Sequence, residues 1–463
     1  MSVPPDADFV VLTSRLAPDR DGGYAVAVAA RLRLLRSIGV ARPLLLTFDV
    51  AADDGHAEVS RDDARAGYDT RNLFAELRDD SSWLYEQARE GRPDPDAAYR
   101  VIRDAEGREV VSLPVISGDP GWYLTTAPVV VPGEQGPRTV AGFSELWRAW
   151  LTRVVAQLRS RAGDEQRCVV FICESKQLGE VIADWADPNL RIVHTVHNSH
   201  LAPPYEPGSA VRDDGWRRWL ALLDRFDAVI WPTASQMSDV AARFGGHEGF
   251  TALPTPILPA PVPPTPTADP DLGRLRRGAR EVLMVNRLVA QKRVDAAISA
   301  WPRVLEGVPD AQLHVYGDGP LRDVLHTLVE ERGLTESVHL HGFSDHVRDA
   351  MRTSAVFLST SAFEGQNLAI GEALTSGLPV VAFDVRYGPR EYVGTGGVLI
   401  PRDDVEGVAA ALTELLTDDA LRSEVAGRAR EEARRLSPEK VGSEFARVLG
   451  QVVARPARPR AAA

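Results

Sequence analysis

Cysteine is nearly absent: a chain of 463 residues holds two, Cys168 and Cys173. Both fall in one apolar run, Cys168-Val-Val-Phe-Ile-Cys173, and read as core residues of a strand. No further cysteine joins them, which speaks against a metal or redox role. Basic charge is in deficit too, with 53 Lys and Arg against 65 Asp and Glu, a net −12. A phosphate-rich polymer needs a basic field, so nucleic acid is not the expected main partner, although a local basic site remains compatible with this balance. Long hydrophobic runs are missing: nothing approaches the roughly 18 apolar residues of a membrane span. The start, Met1-Ser-Val-Pro-Pro-Asp6, lacks a charged region followed by an apolar one. Together these absences point to a cytoplasmic protein. What is present is an ordinary globular composition, 44% hydrophobic and 25% charged. At this length two or three domains are expected.

The stretch richest in chemistry runs from Ser359 to Phe383, with the sequence Ser359-Thr-Ser-Ala-Phe-Glu-Gly-Gln-Asn-Leu-Ala-Ile-Gly-Glu-Ala-Leu-Thr-Ser-Gly-Leu-Pro-Val-Val-Ala-Phe383. Ala355-Val-Phe-Leu358 before it reads as a buried strand. Asn367 suits a helix N-cap, Leu368, Ile370, Ala373 and Leu374 give an apolar stripe, and Gly377 with Pro379 stops the helix. Glu364 therefore sits in a loop, and Glu372 about one turn into a helix. Gly365 permits close approach to the backbone. Free N–H groups at a helix start favour an anion. The flanking carboxylates would repel a phosphate but accept hydrogen bonds from sugar hydroxyls. A phosphate between two polyols describes a nucleotide-sugar.

Upstream, Phe9-Val-Val-Leu12 reads as a strand, Gly22-Gly23 as a turn, and Tyr24 to Ile38 as a helix with Val26, Ala30, Leu34 and Ile38 on one face. This is the opening of a Rossmann-type unit, in which the glycine pair serves either a tight turn or close approach to a phosphate. Leu44 to Phe48 is the next strand. From 51 to about 140 the alternation is lost. A hairpin is expected over 99–113, Trp122-Tyr-Leu and Val129-Val-Val131 suggest further strands, and Tyr85, Tyr99, Trp122 and Tyr123 offer a small core or an exposed patch. The rhythm then returns. A strand over 191–196 ends at His197-Asn-Ser-His200, a polar cluster where open α/β sheets bind ligands. Proline crowds Pro254 to Pro270, so a linker is expected there.

Beyond the linker, strands alternate with helices as in a doubly wound parallel sheet. Asn286-Arg-Leu-Val-Ala-Gln-Lys292 follows a strand end. Arg287 and Lys292 can there reach one anion, the first as a fork and the second as a point charge. Tyr316-Gly-Asp-Gly-Pro320 is a glycine-rich turn, for which plain turn chemistry is also sufficient.

With these residues together the chain resembles the retaining glycosyltransferases of family 4, over about 1–50 and 140–450. The most specific element is the E-x7-E pair Glu364 and Glu372. Phe383-Asp-Val-Arg-Tyr-Gly-Pro389 is similar to the branch of poly(glycerol-phosphate) α-glucosyltransferases and of enzymes that modify teichoic acid or serine-rich adhesins. The resemblance implies a GT-B fold: two Rossmann-like domains facing across a cleft, with a β-rich insertion in the first. The implied divisions are an acceptor domain over 1–262 with the insertion at 51–140, a linker over 263–277, and a nucleotide-sugar domain over 278–436. A terminal helix over 437–452 would cross back to the first domain, and 453–463 would be a flexible tail.

The resemblance also implies roles. Arg287 and Lys292 would hold the donor diphosphate, Glu364 the sugar and Glu372 the ribose. Backbone N–H groups of Gly365, Gln366, Asn367 and Leu368 would place sugar and phosphate. Gly22 and Gly23 would let the first domain close, Gly317 would belong to the donor site, and Gly342 and Phe343 would lie beside the base. His197 would line the sugar–acceptor site, with His200 its rival. No metal or other cofactor would be required. The implied activity is retaining, front-face transfer of glucose or N-acetylglucosamine from a UDP-sugar to an acceptor hydroxyl on a protein, a polyol-phosphate polymer or a small molecule. A non-catalytic partner subunit of the same fold is the alternative. The aromatic insertion suggests subunit contact as a homo-oligomer. Its net −7 over 51–110, from 16 acidic and 9 basic residues, does not favour a polyanionic acceptor.

Overall fold

In the computed structural model, residues 3, 6–14, 16, 22–50, 67–257, 280–344 and 347–456 are described. They form two α/β lobes. The first is built on a seven-stranded sheet in the order Phe250–Ala252, Ala228–Trp231, Leu190–Thr195, Cys168–Cys173, Ala7–Thr13, Leu44–Thr47 and Asp69–Asn72. Every pairing in it is parallel. The central strands are near-continuous Val, Ile, Leu and Phe because helices cover both faces. Cys168 and Cys173 are free thiols in that strand, and burial raises both pKa values.

The second lobe carries six parallel strands in the order Val338–Gly342, Gln312–Tyr316, Glu281–Val285, Val356–Ser359, Val380–Phe383 and Gly397–Ile400. The strand Gly397–Ile400 had no counterpart in the sequence reading. The helix Pro438–Ala454 leaves this lobe and packs Val441, Phe445, Leu449 and Val452 among Phe9, Val28 and Leu32 of the first.

The segment 51–140 differs from expectation near its start. Residues 51–66 lie outside the described set. Asp69–Asn72 is a parallel edge strand of the main sheet rather than part of an insertion. Its polar sequence, Asp-Thr-Arg-Asn, gave no apolar run to detect. The inserted module is a five-stranded antiparallel sheet ordered Arg89–Glu90, Arg138–Ala141, Pro128–Val131, Glu109–Pro114 and Tyr99–Arg103. Trp122–Leu124 is one 3-10 turn, not a strand. Asp119 accepts from Gly121 N at 2.7 Å and closes the chain into that turn. Trp122 and Tyr123 pack on Phe143 and Trp147 of the long helix Gly142–Ala162, which makes them core.

The expected linker falls outside what is described. Residues 263–277 lie outside the described set, as do residues 457–463 of the tail. Residues 254–257 are described, and they dock on the second lobe. Ile257 N donates to Leu436 O at 3.0 Å, and its side chain packs with Tyr392 and Leu436.

Candidate functional site between the lobes

The loops that follow the strands of both sheets meet each other. From the first lobe come Gly22 and Gly23, between strand Ala7–Thr13 and helix Gly23–Ser37. Gly22 has φ 49, and a Cβ on it would stand 3.7 Å from Arg287 Cγ and Cδ. A Cβ on Gly23 would stand 3.9 Å from Leu368 Cδ1. Among the described residues, the helix start has no side-chain cap and no acidic residue in its first turn, which suits an anion. The glycine pair, the arginine and the Leu368 helix start are thus neighbours across the joint.

On the second lobe, strand Glu281–Val285 ends before Arg287, and strand Val356–Ser359 ends before the Glu364 loop. Lys292 Nζ lies 2.5 Å from Glu364 Oε1, and Asn367 Nδ2 donates to the same oxygen at 3.2 Å. Glu364 is 5% exposed. Its backbone is fixed on both sides, by Glu364 N to Arg386 O and Tyr387 N to Glu364 O. Asn367 caps the helix Leu368–Thr375, accepting from Ile370 N at 3.4 Å. Arg287 is exposed, with no ion pair among the described residues.

Gly365 faces the first lobe. A Cβ there would fall 2.4 Å from the His197 carbonyl oxygen. On its Cβ side, the close approach that this glycine permits is made by the protein's own backbone. The Gln366 side chain is likewise committed to the joint. It accepts from Thr255 N at 2.7 Å and donates to Thr255 O at 2.8 Å, which leaves its backbone N–H as the group a ligand could use.

The two candidate histidines separate. His197 retains 19% side-chain exposure, meets Tyr24 edge-on at 5.1 Å, and has Nε2 2.6 Å from Glu174 Oε2. His200 is buried and stacked on Tyr387, and burial lowers its pKa to about 4. His197 is the one at the cleft.

Comparisons with known proteins bear on this arrangement. Residues 279–418 match the family model described as Glycosyl transferases group 1. That match lies within the second lobe. Among curated relatives, the chain is 34% identical over 200 residues to an exopolysaccharide phosphotransferase of Streptomyces coelicolor, covering 42% of this chain and 21% of that one. It is 25% identical over 260 residues to the poly(glycerol-phosphate) alpha-glucosyltransferase of Bacillus subtilis, covering 56% and 37%. The chain thus spans about a fifth to two fifths of these relatives. Among solved structures, Staphylococcus aureus TarM, in complex with fondaparinux, alpha-GlcNAc-glycerol and UDP, aligns over 96% of this chain and 99% of its own. The TM-score is 0.72 at 16% identity. The fold is GT-B.

The remaining expected residues of the second lobe follow its strand ends. Glu372 is half-buried on the Leu368–Thr375 helix, and burial raises its pKa against the pull of Arg348. Gly317 has φ 126, and a Cβ on it would lie 1.9 Å from Asn286 O. That glycine lets the 286–288 loop cross the end of strand Gln312–Tyr316. Its N–H donates to Gly342 O at 2.8 Å. Phe343, next to Gly342 at the sheet edge, is 63% exposed. Among the described residues, no group of three or more His, Cys, Asp or Glu is arranged to hold a metal ion. No described helix is long and apolar enough to cross a membrane.

Sequence reasoning missed several members of this site. Glu174 ends the buried strand Cys168–Cys173, and Arg31 reaches it from the Gly23–Ser37 helix with Nε at 3.1 Å from Oε1. A polar residue closing an apolar strand was the available signal for Glu174. Glu391 of the second lobe accepts from Ala234 N and Ser235 N, at the start of the first-lobe helix Ala234–Phe244. That contact joins residues far apart in the chain, and no local pattern announces it.

Proposed function

We propose that this chain is a retaining glycosyltransferase that moves a hexose, glucose or N-acetylglucosamine, from a UDP-sugar to an acceptor hydroxyl without a metal. Arg287 and Lys292 bind the donor diphosphate and stabilise its charge as it departs. The N–H groups of Gly365 to Leu368 assist, at an uncharged helix start that favours an anion. Glu364 contacts the sugar and Glu372 the ribose, while Gly342 and Phe343 flank the base. Gly22 and Gly23 close over the diphosphate, and His197 borders the sugar and acceptor. The acceptor hydroxyl attacks the face that the phosphate leaves, and the phosphate takes its proton. The chemistry proposed for the absent donor requires fixed cations and open amides around the diphosphate.

The observation that carries this reading is the meeting of Arg287 with Gly22 across the joint, beside the Lys292–Glu364 pair and the Leu368 helix start. The UDP and alpha-GlcNAc-glycerol bound by TarM, and the glucosyl transfer named for the Bacillus protein, support UDP and these two sugars. The acceptor is a hydroxyl of a protein, a polyol-phosphate polymer or a small molecule.

The test is incubation of the purified chain with UDP-glucose or UDP-N-acetylglucosamine and a panel of such acceptors, in chelator. UDP release and a product of α configuration by NMR are expected. A β product rejects retention, loss of turnover in chelator rejects metal independence, and a product carrying sugar phosphate favours phosphotransfer instead.

A further inference from the structure

His197 is held from behind by a buried charge pair. Its Nε2 lies 2.6 Å from Glu174 Oε2, and Arg31 Nε donates to Glu174 Oε1 at 3.1 Å. The side chains of Glu174 and Arg31 are sealed from solvent. The Arg31 guanidinium lies over the Phe445 ring, so the terminal helix covers this pair. Tyr24 abuts the imidazole edge-on, and its own hydroxyl is 2.7 Å from Thr13 Oγ1. Burial opposes ionisation of Glu174, but Arg31 and then His197 outweigh it and hold the carboxyl below its usual range. An ionised carboxylate accepts hydrogen bonds and donates none. The hydrogen at this short contact therefore belongs to Nε2, and a neutral His197 keeps a bare Nδ1. Nδ1 has no hydrogen bond to a described residue, while the ring stays partly open to the cleft.

We propose that Glu174 is a positioning residue. It fixes the plane and the Nε2–H tautomer of His197, so that Nδ1 accepts a hydrogen bond from a hydroxyl brought into the cleft. The identity of that hydroxyl, on the donor sugar or the acceptor, rests on the glycosyltransferase reading. The tautomer does not. Arg31 keeps the carboxylate charged in a site where it would otherwise take up a proton. The arrangement costs two buried charges, and an apolar strand end would pack as well. The ring that this pair holds belongs to the residue whose backbone carbonyl meets Gly365 of the Glu364 loop.

Two measurements test this. In protein with 15N-labelled histidine, the His197 ring is assigned by the signals lost in His197→Asn. Above the pH at which the ring becomes neutral, the Nε2–H tautomer is expected, and a majority of Nδ1–H overturns the proposal. In transfer assays Glu174→Gln is expected to lower kcat about ten- to a hundredfold, with donor KM changed less than about threefold. In a His197→Ala background the same substitution is expected to cost less than about twofold. Equal losses in both backgrounds reduce Glu174 to a core ion pair and overturn the proposal. If Glu174→Gln does not fold, the tautomer of the native protein still decides. If the native chain transfers no sugar from any nucleotide donor, the functional reading fails while the tautomer remains readable.

Discussion

Gln366 and Thr255 bind each other twice across the joint between the lobes, Thr255 N to Oε1 at 2.7 Å and Nε2 to Thr255 O at 2.8 Å. Both residues are buried. The loop that carries Glu364 is therefore anchored to the chain leaving the first lobe. Gln366→Ala would leave a buried N–H and a buried carbonyl unpaired. A loss of about 2–4 kcal/mol is expected in urea unfolding. A loss below about 0.5 kcal/mol would show that water replaces the side chain freely.

Lys292 and Glu364 form the charged centre of the site. Lys292→Met is expected to lower kcat/KM at least about a hundredfold, as loss of a preorganised charge does. It also strands a buried carboxylate, so stability falls by about 3 kcal/mol. Adding Glu364→Gln should restore most of that stability and none of the turnover. Recovery of turnover in the double variant would rule out a catalytic part for this pair.

Gly365 is pressed against His197 O, with 2.4 Å for an added Cβ. Gly365→Ala must push the loop and the first lobe apart. Transfer should fall at least about tenfold and stability by about 1–3 kcal/mol, with little change in far-ultraviolet dichroism. Unchanged kinetics would mean that the loop moves aside without cost.

The acid limb of stability has a traceable source. Burial lowers His200 to about 4 and His314 to about 4, His314 also feeling His339 and His341. A histidine with a depressed folded pKa takes up its proton more readily when unfolded. Its unfavourable linkage therefore grows as pH falls from about 6.5 toward 4. Glu174, whose folded pKa is also depressed, adds a loss below the ordinary carboxylate range. Stability should decline steadily from pH 6.5 to 4, and His200→Phe should flatten that slope. An unaltered slope in the variant would exclude His200 as a contributor.

Much of the site was legible because its chemistry lies in short stretches beside strand ends. Arg287 and Lys292, Glu364 and Glu372, and the Asn367 cap each follow an apolar run that marks a strand or precede a stripe that marks a helix. Less visible were elements without such contrast. Asp69–Asn72 is polar because it is an edge strand, and Trp122–Leu124 looked extended until Asp119 closed its turn. The choice between His197 and His200 could not come from His-Asn-Ser-His, since both rings end the same strand. Packing made it: His200 is buried between Trp216 and the second lobe's Tyr387, whereas the His197 side chain stays partly exposed.

Periodicity and local residue types determined by themselves that there are two regions of alternating β and α, and that Arg287, Lys292 and Glu364 follow strand ends. These are properties of neighbours in sequence, set by which face of a strand or helix must leave water. Tertiary structure alone decided which ends meet. Gly22 with Arg287, His197 with Gly365, and Arg31 with Glu174 are pairs separated by well over a hundred residues of chain. The first two depend on how the lobes dock and the third on how a helix packs on its own sheet, and packing is governed by the summed shape of both surfaces rather than by any one segment.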